Sequence, residues 1–254
     1  MKRSYLIPNM ITALGLACGL FLIFKITILS PTTPILQILD MALLLLLLAG
    51  LADLLDGAMA RIIGAQSPFG ASFDSLSDAI SFGVAPSAVF LKVMSLQEMP
   101  ASAFLSLFGA MIYTMCGVLR LVRFTLQTSQ SHQTKADFIG LPIPAGSVAA
   151  LSLMLLLFSP PLVNVLHPWV RSIGLTIWMI FLGYLMINRW HFPSVKTLKT
   201  TGPSFGLLFI GALIALVCLY GIFHYHALLF TVFSLGYVLL GGILTFSRSR
   251  KRKQ

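Results

Sequence analysis

Long apolar runs fill most of the chain, and short polar or proline-bearing stretches part them. A helix that crosses a bilayer takes roughly 20 mostly apolar residues. Eight segments approach that length, near residues 8–29, 38–62, 72–95, 101–123, 141–158, 171–188, 205–223 and 227–246, the fifth and sixth being the shortest. Pro31 and Pro34 close the first run, because proline lacks an N–H and restricts the residue before it. Glu98, Met99 and Pro100 part the third run from the fourth, Ser159, Pro160 and Pro161 end the fifth, and Thr201, Gly202 and Pro203 precede the seventh. The sequence shows no internal repeat and no long linker. The pattern predicts one all-α integral membrane domain over residues 1–254, a bundle of about eight transmembrane helices with a basic tail at 247–254.

Composition agrees. Hydrophobic residues make up 57% of the chain and charged residues 9%, where a soluble domain carries about a quarter charged. Such a chain cannot cover itself with polar surface. The charges that remain are ordered: 14 of the 17 Lys and Arg residues fall on one side of an eight-helix arrangement. They are Lys2, Arg3, Arg61, Arg120, Arg123, Lys135, Arg189, Lys196, Lys199, Arg248, Arg250, Lys251, Arg252 and Lys253. Basic residues mark cytoplasmic loops, so both termini and the turn after the second run are expected in the cytoplasm. Lys25, Lys92 and Arg171 sit near helix ends, where long side chains snorkel. The net charge of +10 is therefore a topology signal, and nucleic-acid binding is not expected. The basic start resembles a signal peptide but lacks a small-x-small cleavage site, which predicts a retained first span. Cys18, Cys116 and Cys218 lie in apolar runs without metal-ligand spacing. His224 and His226, two residues apart, do not make a metal site by themselves.

The acidic residues are placed less evenly. Four of the seven in the chain, Asp53, Asp56, Asp74 and Asp78, fall within DLLDGAMARIIGAQSPFGASFDSLSD. A charge at mid-membrane costs roughly 2.5–3.5 kcal/mol on insertion scales. Arg61, with Arg120 or Arg123, is too little to balance four carboxylates; two divalent cations would balance them. Asp53 and Asp56, three apart, share one helix face; Asp74 and Asp78, four apart, share another. The linker between them carries Gly64, Pro68 and Gly70, so the two helices are expected to be antiparallel neighbours. Hard oxygen donors without Cys or His suit Mg²⁺, Mn²⁺ or Ca²⁺ rather than zinc. With the second helix entering the membrane near Met41, Asp53 lies about 18 Å along it, toward the cytoplasmic side. Gly57, Ala60 and Gly70 keep side chains off that face, leaving room for a ligand.

The pattern Asp-x-x-Asp-Gly-x-x-Ala-Arg, eight residues, then Gly-x-x-x-Asp-x-x-x-Asp resembles the signature of the CDP-alcohol phosphatidyltransferases. Asp53, Asp56, Gly57, Ala60, Arg61, Gly70, Asp74 and Asp78 occupy its eight specified positions. The segments from Leu6 to Thr12, Ser81 to Pro86, Arg120 to Phe124 and Phe138 to Pro144 further resemble the bacterial phosphatidylserine synthase branch, except that Thr125 stands where Asn is expected. The resemblance implies a bacterial inner-membrane enzyme that moves a phosphatidyl group from CDP-diacylglycerol to L-serine and releases CMP. It implies Mg²⁺ or Mn²⁺, two ions per site, on Asp53, Asp56, Asp74 and Asp78, with Asp78 as general base. It also implies that Gly57, Ala60, Arg61 and Gly70 hold the nucleotide, and it is compatible with a homodimer. Asn9 and Thr12, one turn apart, are candidates to complete that pocket, against helix capping or interhelical bonding. Arg120 and Arg123, also one turn apart, are candidates for the serine carboxylate or a lipid phosphate, against plain topological anchoring. Glycerol 3-phosphate, inositol phosphate and choline are the alternative acceptors. An ion or proton transporter is the alternative of another class, since intramembrane acids also line ion paths. It is disfavoured because the acids cluster near one face and no inverted repeat is visible.

Overall fold

In hydrocarbon each backbone N–H and C=O must find its partner within the segment, so the apolar runs become helices. The computed structural model describes residues 6–65, 67–97, 100–130, 138–188, 191–192 and 226–251. In chain order the helices are α1 (Leu6–Ile28), α2 (Ile35–Ile62), α3 (Pro68–Ser95), α4 (Pro100–Gln130), α5 (Ile143–Phe158), the single turn α6 (Pro160–Val163), α7 (Pro168–Ile187) and α8 (His226–Lys251). Among the described residues, five stretches are long and apolar enough to span a membrane: α1, α2, α3, Phe104–Leu126 of α4, and α7. α5 and Phe230–Gly242 of α8 are shorter apolar helices. These correspond to seven of the eight expected spans. The span near 205–223 lies outside the described residues, as do His224, Cys218, Arg189, Lys196 and Lys199.

α1 packs along α2, α4 along α7, and α3 lies between α1 and α4. α5 touches α2, α7 and α8 and is mostly buried. Its length of 16 residues, about 24 Å at 1.5 Å per residue, need not match a bilayer, because protein surrounds it. The outward faces are apolar (Leu44, Leu54, Phe104 and Ile177 are exposed), as a lipid-facing surface requires.

Close approach of α1 and α3 depends on small residues. A Cβ on Gly19 would lie 2.8 Å from Cα of Ser81. Beside it Ser81 Oγ donates to the carbonyl of Gly15 at 3.1 Å. α3 is not a regular helix: residues Ala79–Val84 form a π-helical turn, six residues long, just past Asp78. Pro86 explains part of it. It has no N–H to give the carbonyl of Phe82 four residues back. Tyr113, fully buried on α4, donates its hydroxyl to that carbonyl at 3.0 Å, and Thr114 reaches the carbonyl of Gly83 at 3.4 Å.

The end of α7 is stitched to its surroundings. Phe138–Ile139 and His191–Phe192 pair antiparallel, Phe138 opposite Phe192 and Ile139 opposite His191. Leu141 N donates to Leu185 O at 3.1 Å. Between these bonds Gly140 adopts φ +87°, a conformation that glycine takes without strain.

Candidate active site

The turn between α2 and α3 brings the four acids together. α2 ends in a Schellman motif: Ala65 N donates to Ala60 O at 2.9 Å and Gly64 N to Arg61 O at 3.4 Å, with Gly64 at φ +65°. α3 then begins at Pro68, four residues before the expected start, because Ser67 caps it. Ser67 Oγ accepts from Gly70 N at 3.0 Å, and Pro68 occupies the first helical position, where a missing N–H does no harm. A tight turn of this kind reverses the chain, and α2 and the first half of α3 both pack on α1, which brings their acids to one crevice.

One carboxylate oxygen each from Asp53, Asp56 and Asp74 lies within 4.8 Å of the others. Asp56 is buried, and Asp53 and Asp74 are half-buried. Asp78 stands one turn deeper and outside that tight triplet, but it lines the same crevice and feels the charges of Asp53, Asp74 and Arg120. Thr12, Gly15, Ala49, Ser77, Ser81 and Phe82 complete the lining. Three hard oxygen donors converging in a half-buried crevice fit a divalent cation. The basic group that acts on these acids among the described residues is Arg120, and it acts through Asp78.

Of the residues expected around a nucleotide, Thr12 lines the crevice, and Asn9 and Gly70 meet beside the turn. A Cβ on Gly70 would meet Ser67 Oγ at 3.1 Å and Asn9 Oδ1 at 3.3 Å, so Asn9 and Gly70 are neighbours. Among the described residues, nothing lies within 4 Å of the place a Cβ would take on Gly57. Ala60 is half-buried and Arg61 is exposed on the last turn of α2. Thr12 differs: it is buried, and its hydroxyl donates to Asp56 Oδ2.

The two arginines of α4 part company. Arg120 is buried, its Nε has no hydrogen-bond partner among the described residues, and it interacts electrostatically with Asp78 and with Tyr237 of α8. Arg123 instead donates from Nη1 to the carbonyl of Ile187, the last residue of α7, at 3.1 Å. Thr125, the departure noted in the sequence, donates to Leu121 O at 2.9 Å and lies 3.3 Å from Ser75 Oγ on α3. The serines of α3 and Tyr237 escaped the sequence reading. Ser77 and Ser81, four apart, repeat the spacing of Asp74 and Asp78, a signal that could have marked them. Nothing local points to Tyr237.

The model of the CDP-alcohol phosphatidyltransferase family matches residues 5–187, which include α1 to α7 and every acid of the crevice. The chain belongs to this family. Among its relatives, a CDP-diacylglycerol--serine O-phosphatidyltransferase of Methanocaldococcus jannaschii is 32% identical over 210 residues, 83% of this chain and 89% of that protein. One of Bacillus subtilis with the same name is 32% identical over 190 residues, covering 75% and 91%. A third, of Mycobacterium leprae, is 34% identical over 175 residues, 68% of this chain but 55% of that longer protein. Family membership accounts for four carboxylates that an ion path would spread more widely.

Proposed function

We propose that this phosphatidyltransferase uses L-serine as acceptor and forms phosphatidylserine and CMP from CDP-diacylglycerol. The observation that carries the reading is the convergence of Asp53, Asp56 and Asp74 in a crevice that Asp78 also lines. The names of its relatives support serine among the acceptors. Both termini and the mouth of the crevice face the cytoplasm of a bacterial inner membrane, in keeping with the distribution of basic residues.

Asp53, Asp56 and Asp74 hold Mg²⁺ or Mn²⁺, with Asp78 as a further ligand where two ions bind. When bound, the ions neutralise charge on the pyrophosphate and make CMP a better leaving group. The chain supplies the remainder. Asn9, Gly57, Ala60, Arg61 and Gly70 receive the cytidine nucleotide, the glycines by leaving its path clear. Arg120 holds the serine carboxylate, a task suited to a guanidinium. Asp78 takes the proton from the serine hydroxyl. The serine oxygen then bonds to the phosphatidyl phosphorus, the bond from that phosphorus to the bridging oxygen breaks, and CMP leaves with the bridging oxygen. Positioning and charge stabilisation carry most of such a transfer.

The test is CMP release from CDP-diacylglycerol by the full chain in detergent, with Mn²⁺ or Mg²⁺ and each of L-serine, glycerol 3-phosphate, inositol phosphate and choline. Release with serine alone is expected, abolished by EDTA. Release that depends on another acceptor rejects serine. Release unaffected by EDTA rejects the cation.

A further inference from the structure

Thr12 sits 44 residues before Asp56, on a different helix, yet its Oγ1 donates to Asp56 Oδ2. Both residues are 5% exposed, so solvent does not replace either partner. The same hydroxyl lies 3.1 Å from Pro8 O. It has one proton for two acceptors, and a carboxylate is the stronger of them. The stretch of α1 around Thr12 is fixed against both acid-bearing helices. Ser77 Oγ of α3 donates to Thr12 O at 3.4 Å, and Gly15, one turn on, abuts Ala52 of α2, whose Cβ would lie 3.4 Å from a Cβ on the glycine.

We propose that Thr12 is a positioning residue for the cation site rather than a nucleotide contact. Its hydroxyl engages one oxygen of Asp56, the most buried acid of the triplet, and so commits the other to the side that Asp53 and Asp74 share. The proposal rests on the reading of the triplet as a cation site. It also gives α1, which carries none of the four acids, a direct hold on the chemistry. Partners that orient a metal ligand typically change metal affinity 10- to 100-fold.

Thr12→Val keeps the shape and removes the donor, and Thr12→Ser keeps the donor. Mn²⁺ binding to the purified full chain is measured by the electron paramagnetic resonance of free Mn²⁺, without lipid substrate, and melting temperature is recorded alongside. The valine variant is expected to weaken Mn²⁺ binding about 10- to 100-fold, and the serine variant to bind close to the parent. A valine variant with unchanged Mn²⁺ affinity and a raised KM for CDP-diacylglycerol returns Thr12 to the nucleotide pocket and overturns the proposal. Equal loss in both variants, tracking melting temperature, makes Thr12 a packing residue and also overturns it. A parent chain that binds no Mn²⁺ brings down the cation reading itself, an outcome the same titration identifies before either variant is made.

Discussion

The proposed mechanism gives Asp78 and the triplet separable tasks, and single substitutions divide them. Asp78→Asn removes the proton acceptor while sparing Asp53, Asp56 and Asp74. CMP release in the presence of serine should fall by at least about 100-fold, in the range expected of a lost general base, and Mn²⁺ should still bind. Loss of Mn²⁺ binding as well would make Asp78 a ligand first. The arginines of α4 divide in the same way. Arg120→Ala should raise the KM for serine and also lower the melting temperature, since truncating a buried side chain leaves a void and takes a counter-charge from Asp78. Arg123→Ala should leave that KM unchanged and destabilise the chain by about 1 kcal/mol, the usual worth of one hydrogen bond, because it frees the carbonyl of Ile187. Serine kinetics and thermal melting of the two variants check both statements; a serine KM that moves in Arg123→Ala and not in Arg120→Ala reverses the assignment.

Among the elements, α3 shows where sequence reading succeeds and where it stops. The faces that carry Asp53 and Asp56, and Asp74 and Asp78, follow from helical period alone. The turn that joins them is nearly legible too, since Gly64, Ser67 and Pro68 are stop, cap and start residues in order. The π turn at Ala79–Val84 is not. Its visible cue is Pro86, but a proline in an apolar run also fits a simple kink. What settles the form is Tyr113, 27 residues on, whose hydroxyl meets the stranded carbonyl of Phe82. The same holds for Arg123, whose partner lies 64 residues away, and for the pairing of Phe138–Ile139 with His191–Phe192. Contacts of that range depend on how helices dock, which periodicity does not encode. Tyr113→Phe keeps the ring and strands the carbonyl again, so it should cost about 1–3 kcal/mol, the penalty of a buried acceptor left unpaired. Denaturation in detergent reads that loss. An unchanged midpoint would mean the π turn holds itself. Gly64→Ala, at φ +65°, should cost about 1–2 kcal/mol for placing a side chain in the left-handed region.

On the scale of the whole molecule, charge and apolarity divide the work. The apolar exterior fixes the protein in lipid, and the acids gather near one end of the bundle. A cysteine introduced at exposed Arg61 should react with a membrane-impermeant maleimide in inside-out vesicles and resist it in intact cells. The opposite labelling would invert the proposed orientation. All four acids lie on α2 and α3, successive helices of the chain, and a capped turn joins them. At 5–20 residues per second the ribosome delivers Asp53 and Asp78 within about one to five seconds of each other. Neither helix is a comfortable lone passenger in lipid: each carries two carboxylates, at roughly 2.5–3.5 kcal/mol apiece. Entering as a closed hairpin, they turn those groups toward each other and toward α1, already in place. Synthesis therefore delivers all four acids before α4 to α8 are made.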